Sequence, residues 1–178
     1  MTISDEIRQQ VRQRADFTCE FCGISETDTG GELTVDHFQP LSKGGDDKLD
    51  NLIYCCPRCN QYKLDYWPAG SKDSLLWNPR IEPGQQHFIE LDDGVLHPLT
   101  SIGAFSLRRL RLNRLPLIAH RLRKHQEAEA QRLLTHYRDL VQAIDQLLVQ
   151  QSQLLEEQQR LLEEQRFLLQ LLLRNAEP

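Results

Sequence analysis

Long apolar runs are missing from this chain: the richest stretch, LLQLLL near the C-terminus, is interrupted by Gln170 and is far too short to span a bilayer. The first residues, MTISDEIRQQVRQR, lack the apolar segment that marks a secretory leader, so the expected location is the cytoplasm, with no membrane partner. Cysteine is scarce too, five in 178 residues, and four of the five form two Cys-x-x-Cys pairs. In a reducing compartment that argues against a disulfide framework and for a metal site, and it leaves Cys55 as an expected core residue. Net positive charge is absent as well. A net charge of −5 argues against a surface that coats nucleic acid indiscriminately. Acidic residues are themselves missing from one place: residues 103–125 hold seven Lys+Arg and no Asp or Glu, whereas residues 1–102 sum to −8 and residues 126–178 to −4.

Local signals order what is present. Ser4 precedes Asp5 and Glu6, and Ile7 and Val11 sit one helical turn apart, so a capped helix is expected from Ser4 to about Ala15. DFTCEFCG then reads as a turn holding two thiols. GGELTVDHF reads as a strand in which Leu33, Val35 and His37 alternate with Thr34 and Asp36, KGGDDKLD as a turn, and NLIYC as a second short strand. Pro57 suits the first turn of a helix running to about Tyr66. Beyond it, HFIELDDGVLH predicts a hairpin turning at Asp93-Gly94, a helix is expected from Ser101 to about Asn113, and Pro116 opens another.

Cys19-x-x-Cys22 and Cys56-x-x-Cys59 have the spacing with which two knuckles offer four thiolates to one tetrahedral Zn²⁺. Such a site is closed and serves to hold a fold together. A strand, turn and strand between the two pairs fits that role.

Taken together, C-x-x-C, VDHFQPLSKGGDDKLDNL and C-x-x-CN-x-x-K resemble the HNH family, the zinc-stapled branch of the ββα-metal nucleases, over about residues 15–66. The resemblance implies His37 as general base, Asp36 and Asn60 as oxygen ligands of a catalytic Mg²⁺ or Mn²⁺, and Asn51 as the residue that orients the base and braces the loop. Phosphodiester hydrolysis needs an activated water and neutralised oxygens, which a histidine and a hard divalent cation supply. Asn60 stands where the family name has its last histidine, a change that bears on metal preference. Lys63, one turn beyond Asn60, is expected to reach a phosphate as a point charge. LLWNPR through LTSIGAFSLRRLRLNR also looks like the extension that follows the core in many bacterial members of the family.

Within FSLRRLRLNRLPLIAHRLRK, the cations Arg108, Arg109, Arg111, Arg114, Arg121, Arg123 and Lys124 alternate with leucines, so a helix with an apolar inner face and a basic outer face is expected, with phosphates as its partner. The final helix carries apolar pairs every seven residues, from Leu133-Leu134 to Leu168-Leu169. Three residues beyond each pair lie Tyr137, Ile144, Gln151, Gln158, Gln165 and Leu172. That period predicts a left-handed coiled coil and a homo-oligomer.

The expected fold is α+β: a zinc-stapled ββα-metal core at 1–66, an accessory hairpin and basic helical segment at 67–125, and a long C-terminal coiled-coil helix at 126–178. The expected function is a metal-dependent endonuclease on DNA, with RNA as an alternative substrate. The competing reading from another class is a non-catalytic, zinc-dependent DNA-binding or scaffolding protein.

Overall fold

The computed structural model describes residues 3–175, with side chains to residue 171. The chain forms two compact units, Met1–His125 and Gln126–Pro178.

In the first unit, helix α1 (Asp5–Arg14) begins where Ser4 caps Ile7 N at 3.3 Å and buries Val11 completely. A single turn, α2 (Glu26–Thr29), follows the first cysteine pair. It is held by a reciprocal capping box between Ser25 and Asp28, a local signal that sequence reading passed over. Strands β1 (Thr34–His37) and β2 (Leu52–Cys55) pair antiparallel, with Asp36 opposite Ile53 and His37 opposite Leu52. All four residues of β2 are buried, so this short strand is the floor of the core.

Two carboxylates tie the first helices to that floor. Glu26 receives both the Nε and an Nη of Arg12 at 2.7 Å and also accepts from the Tyr54 hydroxyl, which in turn accepts from Leu33 N. Glu20 accepts from Tyr54 N at 2.7 Å and from Arg80 at 3.0 Å.

Helix α3 (Pro57–Lys63) has its proline at the first helical position and closes one strand-strand-helix unit. It stops short of Tyr66 because Leu64 takes φ +53°, and Arg109 donates to the carbonyl of Lys63 at 3.0 Å, satisfying a terminal acceptor. The hairpin β3 (Phe88–Glu90) and β4 (Leu96–Pro98) turns through Gly94 at φ +76°, as expected. Helix α4 (Ser101–Arg109) ends four residues before the expected Asn113. Arg111 turns the chain at φ +49° and Leu112 N bonds back to Leu107 O, which drives Leu110 and Leu112 fully into the core. Residues 67–125 are sewn to residues 1–66 by aromatic contacts, Phe21 against Trp77 and Tyr66 against Phe105.

Helix α5 (Leu115–Asn175) supplies Leu117, His120 and Arg121 to the first unit and forms the second unit beyond residue 125. Pro116 is its second residue. In the second unit every described side chain is exposed, including Leu147 at 63% and Leu154 at 61%. The seven-residue leucine stripe is therefore present on one unbroken helix; Leu172 lies outside the described side chains. No helix among the described residues is long and apolar enough to cross a membrane.

Candidate active site and metal centre

The first knuckle is a tight turn after α1. Cys19 N donates to Ile24 O, Gly23 N returns to Cys19 O, and Gly23 sits at φ +73°. The second is the start of α3, where the Cys56 sulfur accepts from Cys59 N as the helix cap. These turns bring the sulfurs of Cys19, Cys22, Cys56 and Cys59 within 4.8 Å of one another. The Cys22–Cys56 separation of 3.8 Å equals the edge of a tetrahedron with arms of about 2.3 Å, the Zn–S bond length, so the donors fit zinc. Four thiols so crowded cannot ionise independently. Cys19 is pushed up chiefly by burial and Cys59 by its bond to Cys19, while Cys22 and Cys56, accepting from Cys19, are pulled down. A cation removes that conflict by holding all four as thiolates. Cys55 lies outside the cluster, fully buried, and burial pushes its thiol up, as befits an inert core residue.

On the other side of β1, the strand ends at His37 and the chain bends at Phe38 and Gln39. Asp36 and His37 accordingly engage different elements. His37 Nε2 lies 2.7 Å from Oδ1 of Asp47 in the following loop, a partner that the sequence reading had treated only as turn chemistry. In a neutral ring, Nε2–H given to a carboxylate leaves Nδ1 with its lone pair.

Asn51 fastens that loop. Its Oδ1 accepts from Gln39 N at 2.8 Å, and its Nδ2 donates to Gln39 O at 3.0 Å and Asp46 O at 2.8 Å. The Gly-Gly turn is equally constrained. Gly44 adopts φ +85°, and a Cβ on Gly45 would stand 1.9 Å from Gln39 O, so neither position admits a side chain without moving the loop that carries Asp47.

Lys63 departs from expectation. It is fully buried, and its ammonium donates to Asp36 Oδ2 at 2.8 Å and His37 O at 2.6 Å. It therefore cross-links α3 to the end of β1 and is not presented to a phosphate in solvent. Asp36 retains Oδ1, which has no hydrogen-bond partner among the described residues, and the Asn60 amide has none there either. Asn60 lies one turn before Lys63 and so shares the face of α3 that Lys63 turns to β1. These two oxygens are of the type that a hard divalent cation takes.

The basic segment also departs from a simple outward row. Arg121 is 8% exposed, and its guanidinium is spent on Gly94 O at 2.6 Å and Leu112 O at 3.1 Å. Arg109 lies over the Tyr66 ring at 4.7 Å while it caps α3. Arg114 points its Nη2 at the cysteine cluster. Burial works to lower its pKa, but the surrounding sulfurs outweigh that and hold it above its usual value. A guanidinium needs carbonyls, rings or anions wherever it is, and the turn at Arg111 offers these inside. Arg108, Arg111, Arg123 and Lys124 are exposed; Arg111 lies over Tyr62 and Arg123 donates to Asp28 at 3.2 Å.

Among curated proteins, none matches the chain. A family model does match it, over the stretch from the first knuckle cysteine to just past α3: residues 19–65 match the model of the HNH endonuclease family, the family that the motifs resemble.

Proposed function

We propose that the protein is a metal-dependent endonuclease that hydrolyses DNA phosphodiester bonds. The observation that carries this reading is the His37–Asp47 pair at 2.7 Å, beside an aspartate whose second oxygen is unused. A bare zinc knuckle has no need of either. His37 takes the proton from the attacking water at Nδ1, and Asp47 stabilises the imidazolium that results. Asp36 Oδ1 and Asn60 would hold a Mg²⁺ or Mn²⁺ ion, which would supply neutralisation of the phosphate and leaving-group oxygens. Lys63 and Asn51 keep Asp36 and the loop in register for this. Arg108, Arg111, Arg123 and Lys124 are the side chains for backbone contact, in a protein of the reducing cytoplasm.

The leucine stripe supports self-association. Its columns run on an exposed helix at a strict period of seven, with glutamines at three successive midline positions that match one another when copies align. Copies joined in this way bring more than one active site to a duplex.

The test is supercoiled plasmid incubated with the zinc-loaded protein in Mg²⁺, Mn²⁺ or EDTA, with His37→Ala in parallel. Nicked or linear product that is lost with EDTA and with the substitution is expected. Binding without cleavage in every metal would favour the zinc-dependent scaffold, and the same assay on RNA decides between substrates. Sedimentation at micromolar concentration is expected to give an oligomer; a compact monomer would remove the self-association.

A further inference from the structure

Among the described residues, Arg114 is the one cation whose charged group sits among the cysteine sulfurs. Its Nη2 is 3.7 Å from Cys59, 3.8 Å from Cys56 and 3.9 Å from Cys22. Its other terminal nitrogen is held at 3.2 Å by Leu110 O and at 3.3 Å by Arg111 O, carbonyls just beyond α4. The guanidinium also lies 5.7 Å from the ring of Tyr62, which α3 carries between Cys59 and Lys63. Carbonyls on one side, a ring on another and three sulfurs in front leave the group one place to be. Phosphate binding, the role suggested by its place in a basic run, is not open to it in this position.

Four thiolates around Zn²⁺ carry a net charge of −2 in a mostly buried site, and that charge needs compensation. We propose that Arg114 is the electrostatic partner of this centre: its N–H groups draw electron density from the sulfurs of Cys22, Cys56 and Cys59, which tightens zinc retention and lowers the nucleophilicity of those thiolates. It is a positioning residue and touches no substrate. Cys19, fully buried and out of its reach, depends on it least. The consequence for the fold is that the turn between α4 and α5 and the zinc knuckles are coupled. Zinc loss would strip Arg114 of its anionic partner, and loss of Arg114 would loosen zinc.

The experiment compares full-length wild type, Arg114→Gln and Arg114→Lys with Arg111→Gln as control, since Arg111 shares the Tyr62 ring but approaches no sulfur. Each protein is loaded with Co²⁺ for absorption spectroscopy and, separately, with Zn²⁺ for transfer to a chromophoric chelator and for iodoacetamide alkylation. In Arg114→Gln the sulfur-to-cobalt charge-transfer band is expected at longer wavelength, because thiolates without N–H donors are better electron donors. Zinc affinity is expected to fall about 10- to 100-fold, the usual cost of removing such an outer partner, and alkylation to quicken. Arg111→Gln is expected to match wild type in all three. Arg114→Lys keeps the charge but reaches fewer sulfurs, so a smaller shift in the same direction is expected, and it stands as the test if the Gln variant fails to fold. A band and a zinc-transfer rate unchanged from wild type in a folded Arg114 variant would overturn the proposal, as would equal changes in Arg111→Gln.

Discussion

Replacing Lys63 by methionine preserves most of the stem's volume in a fully buried slot and deletes only the ammonium. Two short charged hydrogen bonds disappear, to Asp36 Oδ2 and to His37 O, with a longer one to Leu64 O at 3.4 Å. Hydrogen bonds to charged groups are worth about 1.5–3 kcal/mol each, and breaking a buried pair costs about 3–5 kcal/mol when the remaining charge is stranded. Asp36 is not stranded completely, since its side chain is 21% exposed and water can hydrate part of it. The His37 carbonyl is left with no such donor. The balance is a loss of about 3 kcal/mol, which for a domain of this size lowers a urea midpoint by about 2 M. Unfolding is followed at fixed zinc and fixed protein concentration, because bound metal, and the self-association proposed above, would both add to apparent stability. Asp36→Asn weakens the same pair from the other side, so the double variant is expected to lose about 1–2 kcal/mol less than the sum of the two single ones. A Lys63→Met midpoint within about 0.3 M of wild type, or strict additivity, would refute the claim that this ion pair joins α3 to β1.

Two further outcomes follow from strain and from charge. Leu64 ends α3 at φ +53° and ψ −149°, a region that essentially only glycine occupies without cost, and its side chain is 61% exposed. Leu64→Gly is therefore expected to stabilise the fold by about 1 kcal/mol, read as a raised thermal midpoint; a lowered one would mean that the exposed leucine contributes packing that outweighs the strain. The Arg12 guanidinium holds the Glu26 carboxyl below its usual 4.5, and burial, followed by the bond to Glu26, pushes Tyr54 up to about 12. A depressed carboxyl contributes stability that is present above pH 4.5 and lost as the pH falls through the folded value. A raised phenol contributes stability that is present below its usual 10 and lost as the pH rises towards 12. Glu26→Gln is expected to shrink both losses, and the wild-type-minus-variant difference cancels the acid release of zinc common to both; pH profiles of parallel slope would count against the cluster.

What could be read before any coordinates were known was whatever depended on short chain separations. The two Cys-x-x-Cys pairs, the Ser4 cap, the Pro57 start, the Asp93-Gly94 turn and the seven-residue period of α5 all declare themselves within a few residues, because helix, turn and ligand geometry act over that distance. The family resemblance also implied Asn51 as a brace of the loop. The destination of a cation was not legible. Lys63, Arg109, Arg114 and Arg121 look like any other positive charges, and only the packing of β1, the end of α3, the cysteine knuckles and the β3–β4 and α4–α5 turns shows that carbonyls, a carboxylate, a ring and sulfurs await them inside. Asp47 was hidden for the opposite reason: an aspartate after Gly-Gly has a sufficient local explanation as a turn former. The early ends of α3 and α4 fall at Leu64 and Arg111, which adopt positive φ with no glycine to announce it.

These internal cations change the meaning of the charge asymmetry. A surplus of seven positive charges within residues 103–125 suggests a phosphate-binding face, yet Arg109, Arg114 and Arg121 are consumed by a helix end, a sulfur cluster and two backbone carbonyls. Four exposed cations remain, Arg108, Arg111, Arg123 and Lys124, and Arg123 stands 3.2 Å from Asp28. The acid-free run is thus in part an internal fastener. Carboxylates there would compete with the carbonyls and sulfurs for the same guanidinium groups and would face the negative centre at close range, so their absence is explained by the interior before any nucleic acid is considered. The same logic applies where α3 meets β1. Lys63 neutralises one oxygen of Asp36 in packing β1 against α3 and leaves the other open, the oxygen that the proposed function assigns to a cation. On that proposal stability and chemistry draw on the same few charges, so substitutions that weaken one are expected to weaken the other.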